Sequence, residues 1–127
     1  MMIVKTSLKP SLIAGIGLFA DEFIPSGTVV WKFIPPFDLI VTDEQIELLP
    51  PPSRDRIKEL VYPHRFKGLS VLCGDDARFF NHSETPNTID SYVEEEMEST
   101  IANKDINIGE EITCYYKTFW EGYVPII

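Results

Sequence analysis

Cysteine and histidine are scarce in this chain, with two of each in 127 residues. Cys73 and Cys114 allow one disulfide at most, and no CxxC or CxxH spacing occurs, so neither a disulfide scaffold nor a structural zinc site is expected. Long apolar runs are missing as well. The opening MMIVKTSLKPSLIAGIGLFA holds no stretch of signal-peptide length, and nothing later approaches the roughly 20 apolar residues of a membrane span. The expectation is an intracellular chain without membrane contact, cytoplasmic in a bacterium, with the nucleus open to it in a eukaryote or virus. Positive charge is also short: 11 Lys and Arg stand against 20 Asp and Glu, a net charge of −9. That balance repels a phosphate backbone and argues against direct nucleic-acid binding. A cationic partner such as a lysine-rich peptide suits it, as does plain solubility.

What the chain does have is enough apolar content, 44%, for one core, and a length that suits a single domain over residues 1–127. MMIVKTSLK, GIGLFAD and TVVWKFI carry strand signals, with turn residues at Pro25, Ser26 and Gly27. Thr42 followed by Gln45 fits a capping box opening a short helix through Leu49, which Pro50, Pro51 and Pro52 must stop. Ser53 is placed to cap a second helix, RDRIKELV, with Ile57, Leu60 and Val61 on one stripe. The region from Ile89 to Tyr116 alternates and turns like strands, with a hairpin marked by Asn107, Ile108 and Gly109 and a solvated acidic cluster at Glu94, Glu95 and Glu96. One internal echo runs through this pattern. Ala20, Ile24, Gly27 and Val30 repeat the spacing of Ala102, Ile106, Gly109 and Ile112, through duplication or through convergence on a common turn. The fold class is therefore mostly β, many short strands with a helical insertion at about residues 43–61.

Three stretches carry candidate chemistry. GIGLFA, Gly15 to Ala20, formally fits the G-x-G-x-x-G/A dinucleotide pattern, but Pro25 and Gly27 leave no room for the long helix whose N-terminus would hold a pyrophosphate. DDARFFNHSETPN, Asp75 to Asn87, reads as an irregular polar turn in which side chains fold back on the backbone. A metal site pooling Asp75, Asp76, His82, Glu84 and His64 lacks paired histidine spacing, and a nucleophilic pair of Cys73 with His82 or His64 lacks any third member. In GEEITCYYKTFW, a continuing strand would turn Ile112, Cys114 and Tyr116 one way and Thr113 and Tyr115 the other, so that only one tyrosine enters a given pocket. These aromatics equally suit a core.

Taken in order, GIGLFA, RFFNHSETPN and GEEITCYY resemble the SET-domain family of S-adenosylmethionine-dependent protein lysine methyltransferases, over about Gly15 to Tyr116. The resemblance implies a β-clip fold of several small sheets with a C-terminal pseudoknot, an unusual topology. It implies that the backbone of Gly15, Ile16 and Gly17 cradles S-adenosyl-L-methionine, with Asn81, the His82 backbone and Tyr116 also at the cofactor and Trp120 against its adenine. Tyr116 takes the catalytic position, while Phe80, Tyr115 and Phe119 wall the lysine channel and Arg78 supports. The implied substrate is a lysine in a basic protein or peptide, histone or histone-like; the alternative is a SET-like module that binds without turnover. The family's zinc-binding cysteines are missing: Glu84 follows Ser83, and the tail KTFWEGYVPII has none. No metal is therefore expected. The chain resembles minimal viral and bacterial members, in which either Phe119, Trp120 and Tyr123 or a partner subunit in a homodimer closes the channel. The acids of the insertion, Asp43, Glu44, Glu47, Asp55 and Glu59, attract a cationic tail or are solvated helix faces.

Overall fold

Strands too short for one broad sheet, several of them bounded by Pro, Gly or Asn, form four small ones in the computed structural model, which describes residues 1–64, 68–93 and 97–116. β1 (Thr6–Pro10) and β2 (Ile16–Ala20) make an antiparallel ribbon. β3 (Val29–Lys32), β8 (Thr88–Val93) and β9 (Met97–Ala102) form a sheet with β9 in the middle. In another, β6 (Leu69–Leu72) lies between β4 (Leu39–Thr42) and β5 (Tyr62–Pro63). The last pairs β7 (Asn81–His82) in parallel with β10 (Thr113–Cys114).

The helical insertion is present as α1 (Asp43–Glu47) and α2 (Pro51–Leu60). The capping box forms as its residue types require: the Gln45 N–H donates to Thr42 Oγ1 at 3.1 Å and the Thr42 N–H to Gln45 Oε1 at 2.9 Å. Ser53, by contrast, caps nothing. α2 starts at Pro51, with Pro50 as a cap that makes no side-chain bond. Proline suits the first helical turn, where its missing N–H has no partner to lose, so the proline run that ends one helix also begins the next. Ile57, Leu60 and Val61 are only half-buried, so this helix lies on the surface. Glu47 pairs with Lys58 at 2.6 Å, Asp55 with Arg54 at 3.3 Å and Glu59 with Arg56 at 2.8 Å. The insertion thus answers three of its own acids internally, which leaves less to draw a cationic tail.

The echoed segments meet each other. Ile24 and Ile106 exchange backbone bonds, the Ile24 N–H to Ile106 O at 2.9 Å and the Ile106 N–H to Ile24 O at 2.8 Å. The Gly27 N–H reaches Ala102 O and the Gly109 N–H reaches Ala20 O, both at 2.7 Å. The Ala20 N–H reaches Glu110 O and the Ala102 N–H reaches Thr28 O, both at 2.9 Å. Each copy's turn is therefore held by the other copy. The two glycines sit at φ +90° and +87°, a region costly for any residue with a Cβ. The turn expected at Asn107, Ile108 and Gly109 exists, but its flanks pair with the first copy rather than with one another as in a hairpin. Ala20, Ile24, Val30, Ala102, Ile106 and Ile112, joined by Leu18, are the main buried cluster. The echo is thus the core. A second cluster contains Trp31, Val71, Cys73 and Ala77, and Phe80 packs against both.

β10 is drawn onto β7 by Asn87, which is 8% exposed. Its Oδ1 accepts from the Thr113 N–H at 2.9 Å, and its Nδ2 donates to Glu111 O at 2.8 Å. Thr88 Oγ1 donates to Thr113 O at 2.7 Å. The Thr113–Cys114 strand is thereby laid beside a segment some thirty residues earlier.

Candidate active site

Asp75 starts the site segment. Its carboxylate accepts from the Ala77 N–H at 3.1 Å, opening a 3₁₀ turn over Asp76–Phe79, and from the Met2 N–H at 2.7 Å. Arg78 Nε donates to Cys73 O at 2.6 Å, a supporting contact that closes the turn. Phe80 then anchors between the two apolar clusters and delivers Asn81 and His82 into β7.

The pairing of Thr113 with Asn81 and of Cys114 with His82 carries the C-terminal strand to the same place. The Ser83 N–H donates to Cys114 O at 2.9 Å and extends the ladder by one bond. The strand ends at Cys114, so the alternation that would part Tyr115 from Tyr116 ends with it. Both tyrosine rings lie against His82, with centroids 5.1 and 5.4 Å away. The Tyr116 N–H donates to His82 Nδ1 at 3.0 Å, so the proton of the neutral imidazole is on Nε2, facing Glu84 Oε1 at 3.2 Å. His82 is thus a strut for Tyr116. The Tyr116 hydroxyl donates to Phe80 O, and with its proton so committed the oxygen meets any incoming group as an acceptor.

The glycine segment completes the site. Gly15 and Ile16 lead into β2, and Asn81 Nδ2 donates to Ala14 O at 3.1 Å and to Glu111 Oε2 at 2.9 Å. Gly17 lies under the Glu111 carboxylate, where a Cβ would stand 2.5 Å from Oε2, so no larger residue fits without moving it. Ser11 Oγ donates to Glu111 Oε1 at 2.6 Å. Gly15, Ile16, Gly17, Phe80, Asn81, His82, Tyr115 and Tyr116 are therefore brought together. Phe119, Trp120 and Tyr123, with the acidic cluster at Glu94, Glu95 and Glu96, lie outside the described residues.

Glu111 and Ser11 are site residues that the sequence reading passed over. The signal for Glu111 was its place as the second acid of GEE; Ser11 carried none. The nucleophilic-cysteine idea fails on chemistry. Burial, reinforced by the negative charges of Asp38 and Asp75, pushes the Cys73 thiol up to about 12, and burial pushes Cys114 well above its ordinary value too. Thiolate is scarce at both. Among the described residues no group of three or more His, Cys, Asp or Glu could hold a metal ion, and no helix is long and apolar enough to cross a membrane.

The model of the SET domain family matches residues 15–117. Among solved structures, a Plasmodium falciparum protein described as a candidate histone methyltransferase superposes with a TM-score of 0.61 at 19% identity, covering 89% of this chain and 93% of that one. A humanized mutant of the Chaetomium thermophilum Polycomb Repressive Complex 2 bound to the inhibitor GSK126 gives 0.68 at 24% identity, over 92% of this chain and 15% of that one. An active polycomb repressive complex 2 in the basal state gives 0.68 at 25% identity, over 89% of this chain and 15% of that one. The chain thus spans nearly all of the first and a small part of the other two. Comparison with curated protein sequences gives no match.

Proposed function

The chain belongs to the SET domain family, and from that premise we propose that it transfers a methyl group from S-adenosylmethionine to the side-chain amine of a lysine in a basic protein or peptide. The observation that carries the reading is the junction of β7 with the C-terminal strand, which sets Asn81, His82 and Tyr116 in one place from positions about 35 apart.

The donors and acceptors present suit such a cofactor. The backbone of Gly15 to Gly17 and the Asn81 side chain would hold its amino-acid end, with the His82 backbone and Trp120 toward the adenine; bound there, it supplies an electrophilic sulfonium methyl. The protein's share is alignment. The Tyr116 oxygen, its proton given to Phe80 O, accepts from the lysine amine and turns the nitrogen lone pair inward. Attack needs that amine neutral, and its ordinary pKa of about 10.4 falls in an apolar channel, where burial penalises the ammonium. Phe80, Tyr115 and Phe119 are assigned to that channel. Tyr116 is not a free-standing base, because its hydroxyl is already a donor. The net charge of −9 favours approach of a basic segment, histone-like in its lysine content, and disfavours nucleic acid.

Calorimetry with S-adenosylmethionine tests the reading. Binding that Asn81→Ala weakens about tenfold is expected, since one charge-assisted bond is worth about that much. Absence of binding to the wild-type chain would sink the enzyme reading, and binding without transfer to any basic peptide would favour the non-catalytic module.

A further inference from the structure

Glu111 takes no part in the chemistry set out above, yet it touches all three segments of the site. One carboxylate oxygen accepts from Ser11 Oγ at 2.6 Å and the other from Asn81 Nδ2 at 2.9 Å. Its main chain is fixed as well, with its carbonyl accepting from Asn87 Nδ2 at 2.8 Å and the residue itself paired with Phe19 in an isolated antiparallel bridge. The carboxylate therefore cannot swing away without breaking bonds on both sides. Gly17 leaves the room it occupies.

The consequence falls on the Asn81 amide. Its Nδ2 end is ringed by oxygen: Ala14 O at 3.1 Å, Glu111 Oε2 at 2.9 Å and, more distantly, Ile16 O at 3.5 Å. Only the NH₂ group can stand there, because a flipped amide would set its carbonyl against two carbonyls and a carboxylate. Among the described residues Oδ1 accepts no hydrogen bond. An asparagine free to flip would serve a donor or an acceptor equally; this one offers an acceptor.

Resting on the cofactor reading above, we infer that Glu111 is a positioning residue, which locks Asn81 with Oδ1 outward so that the site selects the α-ammonium of the cofactor's amino-acid end. An ammonium has only donors and a carboxylate only acceptors, so the locked amide distinguishes the two ends of the amino acid. The acid held beside it adds attraction for the same cation.

The test is calorimetric and needs no turnover. The full chain is titrated with S-adenosylhomocysteine and with its analogue bearing hydrogen in place of the α-amino group. Wild type is expected to prefer the parent by about tenfold or more, the worth of a hydrogen bond to a charged group. Glu111→Ala brings the preference to within about threefold, whereas Glu111→Gln, whose amide oxygen can still accept from Nδ2, keeps most of it. Should Glu111→Ala fail to fold, Glu111→Met has a comparable side-chain length without the acceptor and reads the same loss. Undiminished preference in a folded Ala or Met variant overturns the proposal. So does equal binding of both ligands by wild type, which leaves the cofactor reading standing; failure of wild type to bind either ligand overturns both.

Discussion

Replacing Asn87 by alanine removes the clamp that holds the C-terminal strand on the site. Two backbone groups lose their partners, the buried Thr113 N–H with its 2.9 Å acceptor and the partly buried Glu111 carbonyl with its 2.8 Å donor. An unpartnered buried polar group costs about 1–3 kcal/mol, and water entering the vacated space offsets part of that, so the expected loss is about 2–4 kcal/mol. A domain of this size has a stability of roughly 6–19 kcal/mol at ordinary values per residue, so the variant still folds. With an unfolding entropy of about 2.1 cal/mol/K per residue, a loss of about 3 kcal/mol lowers Tm by roughly 10 °C. Urea unfolding followed by near-ultraviolet circular dichroism reads the loss. Asn87→Asp sharpens the test: it keeps an acceptor for Thr113 but sets a carboxylate oxygen against Glu111 O. Protonation restores a donor there, so this variant should recover stability relative to wild type as pH falls. A cost under about 1 kcal/mol for Asn87→Ala, or an Asp variant indifferent to pH, would refute the assignment of Asn87 as the clamp.

Gly27→Ala and Gly109→Ala should each cost about 1–2 kcal/mol, because nothing crowds either position and only the backbone angle is unfavourable; matching urea midpoints check this, and a large difference between them contradicts the reciprocal exchange. Gly17→Ala should cost about 1–3 kcal/mol through the Glu111 carboxylate, and much of that should vanish when Glu111→Ala is added, a coupling that a double-mutant cycle measures. Burial raises the pKa of Asp38, but bonds from the Met1 ammonium at 2.5 Å and the Gly74 and Ile34 N–H groups at 2.9 Å outweigh it and hold the carboxyl below its usual value. Its contribution is therefore present above about pH 4 and lost as pH falls through the lowered folded-state value. Asp38→Asn should flatten that part of the acid-unfolding curve. Tyr116→Phe should lower kcat by about 10²-fold or more with little change in cofactor affinity, read by paired kinetics and calorimetry.

Sequence pattern carried the architecture unevenly. The capping box at Thr42 and Gln45 was legible because both halves of the motif are local, whereas the start of α2 was not, since proline serves as both breaker and first-turn residue. The echo between Ala20–Val30 and Ala102–Ile112 was legible as spacing alone. That the two copies hold each other is a long-range fact, and no local rule could tell it from a pair of ordinary hairpins. In the site, Asn81, His82 and Tyr116 were named from the family pattern, and the structure brings them together. The contact of both tyrosines with His82 was hidden, because strand alternation was extended past Cys114, where the strand ends. Glu111 was missed for a related reason: an acid beside another acid after a turn glycine looks solvated, and only its bridge to Phe19 in β2, with Ser11 and Asn81 on its carboxylate, turns it inward.

Methyl transfer to lysine is read by incubating the chain with S-adenosylmethionine carrying a labelled methyl group and a panel of basic peptides, then locating the label by mass spectrometry. Label is expected on lysine side-chain nitrogen, lost or strongly reduced in Tyr116→Phe. Label on another residue type, or equal labelling by the Tyr116→Phe variant, would contradict it.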